Sequence, residues 1–348
     1  MAKKESNSDI RHATMADIAA EVGVSRQLVG LVFRGEPGVG AATEAKIRAA
    51  AKKLGYQPNL AARSLRSVNS NYIGVMFRPS ESSMGELIPA LYKYAQAAGY
   101  RLFLSSVSTN HGEENAIQEL LGHRCEGIVL FSSQQSKTAI QKLARTIPLV
   151  SVGRRLDGVR CGIVSSHGEV GVAEAVDYLI GLGHKQIGYV YAKDMLDSEF
   201  RLEGYLSAMK RHNLAIQVVE IEGDFAEEGG SKAADKFITR GLPTAIVCNN
   251  DQAALGLSYR LIQSGIEIPE DVSVVGYDDT VASLPFLNLT TVRQDPDEIA
   301  EAAIGDLVAR IKGQQYLSQE ILTSSKLVVR TSTGKPKVST SKDRKSVV

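Results

Sequence analysis

From Tyr72 onward, short apolar runs rich in β-branched residues alternate with longer amphipathic segments. The runs are YIGVMF, YRLFLSS, GIVLF, LVSV, IGYVY, VVEIE, AIVCN and VSVVGYD, and segments such as GVAEAVDYLIGLG and FRLEGYLSAMKRHN separate most of them. Strands that alternate with helices predict parallel sheets with helices on both faces. Because the pattern restarts near Gly162, we expect a core of two similar α/β lobes over residues 71–334.

The chain is expected to cross between these lobes near Thr290, where LTTVRQ and EILTSSKLVVR each predict one further strand. Residues 1–13 and 335–348 are polar, lack periodicity and are expected to be disordered. The lobes are assigned as follows: lobe 1 to about residues 71–162 and 292–319, and lobe 2 to about residues 163–291 and 320–334.

Residues 14–58 predict a small all-helical domain, in short pieces separated by Gly and Pro. Thr14 and Asp17 form a start signal close to a capping box. Gly23 can end the first helix, because a left-handed residue costs least without a side chain. Ser25 then caps a second helical segment, RQLVGLVFR.

The spacing of Ala19, Gly23 and Val29 is typical of a helix-turn-helix, in which a small residue lets the helices cross, glycine makes the turn and a β-branched residue packs between them. A plain three-helix bundle is the alternative. The charge favours a nucleic-acid reader, because residues 1–70 carry eleven Lys/Arg and six Asp/Glu. Residues 335–348 carry a net charge of +4, so the middle of the chain carries −8.

In a helix-turn-helix, the segment after Ser25 would be the recognition helix, with Arg26 and Gln27 at the end that meets base edges in the major groove. Arg pairs with guanine and Gln with adenine, each contributing roughly 1–3 kcal/mol of discrimination. The apolar residues that would face the bundle are Val29, Val32 and Phe33. Candidates for phosphate contacts, which set the register on DNA, are Thr14, Ser25, Thr43 and Asn59.

Several segments together resemble, in the same order, the lactose-repressor (LacI/GalR) family of bacterial transcription regulators. They are TMADIAAEVGVSRQLV, TEAKIRAAAKKLGYQPNLAARSLRS, LIGLGHKQIGYV, NDQAALG, VSVVGYDDT and LTTVRQD. The resemblance implies a helix-turn-helix head joined to a periplasmic-binding-protein-like core of two parallel-sheet lobes. It implies a homodimer that represses transcription from a near-palindromic operator in double-stranded DNA, with an affinity that a small sugar-like effector changes allosterically.

By the same resemblance, residues 59–70 are a hinge that folds into a helix on operator DNA, although the bare sequence predicts only a linker. Leu65 would be the wedge in a minor-groove base step, with Ala62 packing nearby and Arg63 among the DNA contacts. Unstacking a base step costs a few kcal/mol, which the wider contact with bent DNA offsets.

Gly30 and Leu31 depart from the family pattern, which carries a Ser–Arg pair there whose Arg reads a base. Leu31 cannot donate a hydrogen bond, and its DNA contact would be a thymine methyl group. Gly30 costs about 1 kcal/mol relative to Ala inside a helix. The family's usual operator sequence is therefore not expected, although Arg34 at the end of the helix remains a candidate DNA contact.

Ligands of open parallel sheets bind at the carboxyl ends of the strands. Arg201, Asn250 and Asp278 lie at such ends or at a helix start, and they match the family positions that grip effectors. A guanidinium, an amide and a carboxylate together satisfy polyol hydroxyls, which both donate and accept. Asp251 is expected to cap a helix instead. Further candidates for the effector cleft are Phe77, Arg78, Arg154 and Phe225, whose ring could cover the apolar side of a sugar.

Nothing in the sequence points to catalysis, a cofactor or a metal. The run GEPGVG lacks the Lys-Ser/Thr ending of a phosphate loop, and there is no Gly-x-Ser-x-Gly elbow. The histidines and cysteines have no metal-ligand spacing. With no secretory signal and no apolar run of membrane-spanning length, a bacterial cytoplasmic protein that joins the nucleoid on DNA is expected. Two alternatives are a regulator that responds to a non-sugar metabolite or to a protein co-regulator, and a solute-binding transport protein.

The wedge role of Leu65 leads to a first prediction. Leu65→Ala should weaken binding to the operator far more than binding to non-specific DNA, because only the specific complex is kinked at the wedge. Titrating both duplexes with the variant and the parent protein at one salt concentration measures the two losses. Equal losses on both DNAs would remove the wedge role.

Overall fold

The computed structural model describes residues 13–57 and 69–337, except residues 82, 157, 194, 196, 223–225 and 315–319. The chain divides into two compact units between Ser70 and Asn71. No helix in the described part of the chain is long and apolar enough to span a bilayer.

The first unit consists of α1 (Met15–Val22), α2 (Arg26–Arg34) and α3 (Ala41–Lys53). Its core contains fully buried Ile18, Val29 and Ile47, each from a different helix. Ala19 is also buried, and Gly23 ends α1 with a φ of 74°. The spacing that predicted the helix-turn-helix is therefore confirmed in the packing.

The second unit contains two six-stranded sheets, each the centre of one lobe. The first sheet has the order β11-β5-β4-β3-β1-β2 and is parallel throughout. Lobe 1 consists of β1 (Tyr72–Phe77), α4 (Met84–Ala97), β2 (Arg101–Ser106), α5 (Glu113–Gly122), β3 (Gly127–Phe131), α6 (Lys137–Leu143), β4 (Leu149–Val152), β5 (Gly162–Ser166), α11 (Pro296–Ile311) and β11 (Glu320–Thr323).

The second sheet has the order β12-β10-β9-β8-β6-β7, in which only β12 runs antiparallel to its neighbour. Lobe 2 consists of α7 (Gly168–Leu182), β6 (Ile187–Ala192), α8 (Ser198–Arg211), β7 (Gln217–Ile221), α9 (Ala226–Arg240), β8 (Ala245–Cys248), α10 (Asp251–Gln263), β9 (Ser273–Asp278), β10 (Thr290–Gln294) and β12 (Ser325–Val328). The predicted two-lobed α/β core is confirmed.

The chain crosses between the lobes at three places, which are His167, Asp295 and Ser324. Each crossover lies a few residues later than the lobe boundaries expected from the sequence. The segment 162–166, for which the sequence analysis predicts no strand, pairs as β5 in the first sheet. The segment EILTSSKLVVR is not one strand but two, because its halves pair in different sheets.

Glu298 explains the break in that segment. Its carboxylate accepts hydrogen bonds from the backbone N–H of Ser324 at 3.1 Å and from the Ser324 hydroxyl at 2.5 Å. These bonds satisfy a backbone donor at the residue where the chain leaves one sheet for the other. A one-dimensional hydrophobic pattern contains no signal for this long-range contact.

Two glycines set the close packing of α9 against α10. A Cβ added at Gly256 would overlap the carbonyl oxygen of Glu227, and one added at Gly230 would overlap the carbonyl oxygen of Ala253. Backbone meets backbone at both places, so a small rotamer change cannot relieve the overlap. The two helices therefore require glycine at both positions.

We predict that Gly256→Ala destabilises the protein by about 3 kcal/mol, because overpacking here can be relieved only by separating the helices. Gly305→Ala in α11 is the matched control, since a Cβ there meets nothing within 4 Å, and it should stabilise by up to about 1 kcal/mol through helix propensity. Urea unfolding of both variants measures the difference. Equal stabilities would show that α9 and α10 can separate without cost.

Candidate functional site

The recognition-helix candidate α2 has one buried and one exposed side. Val29 and Val32 are buried, and the ring of Phe33 lies 5.1 Å from that of Tyr56. Arg26 and Gln27 are exposed in the first turn of the helix. The apolar side therefore packs in the bundle as predicted, and the first turn presents the side chains that the sequence analysis assigned to base edges.

Two of the candidate phosphate contacts also cap helices. The Thr14 hydroxyl accepts a hydrogen bond from the Asp17 N–H, and the Thr14 backbone N–H donates to the Asp17 carboxylate at 2.8 Å, forming the predicted capping box. The Ser25 hydroxyl accepts from the Leu28 N–H at 3.1 Å. Thr43 is half-buried in the first turn of α3. Four candidate DNA contacts lie outside the described residues: Asn59, Ala62, Arg63 and Leu65.

Arg34 is held at the far end of α2 by an acidic partner. Its Nε and Nη2 lie 2.7 and 3.0 Å from the two carboxylate oxygens of Glu36. Its Nη1 would lie only 2.9 Å from a Cβ atom at position 30. Glycine at this position therefore makes room for the guanidinium, while the neighbouring Leu31 is half-buried.

A cleft of about 380 Å³ opens between the two lobes, a volume within the range of about 300–1,000 Å³ typical of small-molecule sites. Its wall includes residues that follow β1, β3, β4, β8 and β9, so the cleft lies at the carboxyl ends of both sheets. This is the place that the sequence predicted for a ligand. Of the candidate effector contacts, the cleft wall contains Arg78, Arg201, Asn250 and Asp278.

Arg201 forms the centre of the lobe 2 wall and is only 6% exposed. Its Nη1 donates to the Asn249 carbonyl at 2.6 Å, and its Nη2 lies 3.5 Å from Asp278 Oδ1. The guanidinium carbon lies 3.8 Å from the centre of the Tyr277 ring, a cation–π geometry. Its buried Nε has no hydrogen-bond partner among the described residues.

Asp278 stands at the end of β9 with a φ of 106°, in the left-handed region. Its Oδ1 accepts a hydrogen bond from Gln294 Nε2 at 2.7 Å. Burial raises the pKa of Asp278, whereas Arg201 and Gln294 act to lower it. Strain of this kind on a non-glycine residue is typical of functional sites.

The helix cap expected at Asp251 is supplied by Asn250. Asn250 caps α10, because its Oδ1 accepts from the Ala253 N–H at 2.8 Å, and it also lies on the cleft wall. The expectation that Asp251 is the cap is wrong. Its carboxylate instead accepts from the Thr291 hydroxyl at 2.6 Å and the Thr280 N–H at 2.8 Å, tying three strand ends together.

The lobe 1 candidates separate into two groups. Arg78 lies on the wall and forms an ion pair with Glu113. Phe77 packs into the lobe 1 core instead, and it is not part of the wall. Arg154 is also absent from the described wall, because its guanidinium donates to two backbone carbonyls, those of Ser133 and Gln135. Phe225 lies outside the described residues.

Four carboxylates of the wall were not predicted from the sequence, and two of them, Glu81 and Asp197, have strongly shifted pKa values. Burial raises the pKa of Glu81 to about 7, although the Ser132 hydroxyl, at 3.2 Å, acts to lower it. Burial also raises the pKa of Asp197 to about 6, against the lowering effect of Arg201. Both residues lie in loops that follow parallel strands. The rule that ligands bind at the carboxyl ends of strands would therefore have identified them, had the search continued a few residues beyond each strand.

Both units of the chain match known protein families. Residues 14–59 match the profile of bacterial regulatory proteins of the lacI family, and residues 176–333 match that of a periplasmic binding protein-like domain. The chain is 31% identical to the HTH-type transcriptional repressor PurR of Pasteurella multocida over 328 residues, which is 92% of this chain and 98% of that protein.

Two further relatives agree with this placement. The ribose operon repressor of Escherichia coli is 32% identical over 318 residues, covering 89% of this chain and 96% of that protein. The crystal structure of the lac repressor dimer bound to operator and the anti-inducer ONPF has a TM-score of 0.80 at 27% identity. The match covers 93% of this chain and 100% of that one.

The exposed first turn of α2 leads to a prediction about base recognition. Arg26→Ala or Gln27→Ala should relax the preference at one or two positions of a selected DNA site, because each side chain reads one base. Selection from random duplex DNA measures the preference at each position. Lys52→Ala is the control: it also removes a charge from an exposed position, and it should change affinity without changing sequence preference. If the Arg26 and Gln27 variants lose affinity equally on all sequences, the base-reading assignment is wrong.

Proposed function

The chain belongs to the lacI family of bacterial regulatory proteins, and from that premise we propose that it represses transcription as a homodimer whose operator affinity depends on a small polyhydroxylated effector. The head over residues 14–58 reads the operator, residues 59–70 form the hinge, and the core over residues 71–334 binds the effector and dimerises. The cleft between the lobes is the single observation that carries the effector assignment.

The chemistry of the cleft suits a ligand rich in hydroxyl groups. Arg201, Asn250 and Asp278 supply a donor fork, an amide and a carboxylate within one wall. Each hydroxyl of a polyol both donates and accepts, so a mixed wall of this kind can satisfy several at once. The similarity to the Escherichia coli ribose operon repressor also supports a sugar-like effector.

Effector binding can act on the DNA through the relative position of the lobes. A ligand in the cleft contacts residues of lobe 1 such as Ser132 and residues of lobe 2 such as Arg201, so it favours the arrangement in which both are within reach. Because the lobes are joined at three single-residue crossovers, one can rotate against the other with little internal change. The effector changes operator affinity only by its differential affinity for the two arrangements.

Exposed apolar side chains on lobe 2 support the homodimer. Tyr259 and Ile262 project from α10 and are each 61% exposed, and Phe286 in the loop before β10 is 76% exposed. Both elements pack on the same core cluster through Leu257 and Ala282. Large apolar side chains left exposed on one lobe are available to a protein interface, and the related lac repressor structure is that of a dimer.

We predict that Asp278→Asn raises the concentration of effector needed for half-maximal response by roughly tenfold or more, since a charge-assisted hydrogen bond contributes about 1.5–3 kcal/mol. Asparagine is chosen because it tolerates the positive φ. The measurement is operator binding by fluorescence anisotropy, with sugars and nucleobases as effectors. Operator affinity without effector should remain unchanged.

Glu222→Gln, at an exposed position of lobe 2 that is not part of the cleft wall, is the control for loss of one negative charge. It should respond like the parent protein. A full response of the Asp278→Asn variant would remove the cleft from the effector site.

A further inference from the structure

The cleft wall carries more carboxylates than cations. Two arginines of the described wall, Arg78 and Arg201, face five acidic residues. Both arginines already have anionic partners, which are Glu113 for Arg78 and Asp278 for Arg201. The acidic wall residues are Glu81, Glu86, Asp197, Glu227 and Asp278.

Three wall carboxylates, Glu81, Asp197 and Glu227, form no ion pair in the described part of the chain, whereas Glu86 pairs with Arg293. Glu227 is exposed to solvent, and Glu81 and Asp197 are partly buried. The Glu81 carboxylate accepts a hydrogen bond from the Ser132 hydroxyl. Asp197 Oδ1 is buried and has no hydrogen-bond partner among the described residues. A partly buried carboxylate without an ion-pair partner is costly to the protein, so two of them facing one cleft point to a ligand.

The two groups stand on opposite lobes and act on each other. Glu81 belongs to the loop after β1 in lobe 1, and Asp197 to the loop after β6 in lobe 2. The negative charges of Asp197 and Asp278 help to raise the pKa of Glu81, which Arg78 and Ser132 lower. The charges of Asp278 and Glu320 raise the pKa of Asp197, which Arg201 and Arg155 lower. Like charges on facing walls oppose closure of the empty cleft.

We propose that the effector carries a protonated amine, which lies between Glu81 of lobe 1 and Asp197 of lobe 2 while its hydroxyls contact Arg201, Asn250 and Asp278. This inference rests on the proposed function and narrows its effector to an amino sugar or a similar amino polyol. The ammonium group replaces the repulsion between the lobes by attraction to both, so binding and closure are coupled. A phosphorylated sugar would add negative charge to an acidic wall and is excluded.

Isothermal titration of the full chain with matched compounds tests the charge preference. The probes are glucosamine, glucose and glucose 6-phosphate, with the corresponding galactose and mannose sets. In at least one set the amine should bind tenfold or more tightly than the neutral sugar, and the phosphate should not bind. Amine affinity should rise from about pH 5.5 to pH 7, because both carboxylates must lose their protons to hold the ammonium group.

Glu81→Gln and Asp197→Asn identify the residues responsible. Each should reduce the preference for amine over neutral sugar at least fivefold while leaving neutral-sugar binding measurable. Without ligand, each should also raise Tm, and the gain should be larger at pH 8 than at pH 5. A raised carboxyl pKa costs stability above the unfolded-state pKa, where the ionised form is buried. Glu301→Gln, exposed on α11, is the control and should change neither quantity.

Neutral sugars that bind as tightly as amines, or phosphates that bind most tightly, overturn the inference but leave the cleft as the effector site. Absence of amine binding in all three sets also overturns the inference. The proposed function is tested independently by the effector response of the Asp278→Asn variant. An unchanged amine preference in both carboxylate variants contradicts the placement of the amine.

Discussion

A buried guanidinium organises the ligand cleft. Arg201 lies almost out of contact with solvent, where an uncompensated charge costs many kcal/mol. It is compensated by Asp278, by the Asn249 carbonyl and by the face of Tyr277, and these groups come from the ends of two neighbouring strands. One cation therefore fixes the relative position of β8, β9 and α8.

The remaining charges of the cleft divide between the two lobes. Each lobe has its own buried apolar core around its own sheet, so each can move as a body. Three crossovers, at His167, Asp295 and Ser324, are the covalent connections between the lobes. Acidic groups placed on both sides of the opening make closure dependent on what enters it, which is the physical requirement for an effector-controlled switch.

The head combines a standard helix-turn-helix core with an unusual recognition helix. Ile18, Val29 and Ile47 close the core in the way that the helix spacing predicted. On the exposed side, Gly30 leaves space for Arg34, which Glu36 holds in a bidentate ion pair. An arginine fixed in this way would lose less side-chain entropy on binding an anion, but that anion would have to compete with Glu36.

The sequence by itself determined the helix-turn-helix, the alternation of strands and helices, and four residues of the cleft, Arg78, Arg201, Asn250 and Asp278. These properties are local, since they depend on helical spacing, capping residues and the rule that ligands meet strand ends. Only the tertiary structure decided that Glu298 divides one apolar segment between two sheets and that Arg154 is turned to backbone carbonyls. It alone showed that Glu81 and Asp197 line one cleft and form no ion pair in the described part of the chain. Strand pairing and charge compensation are long-range properties. Folding brings the partners together, although they lie far apart along the chain.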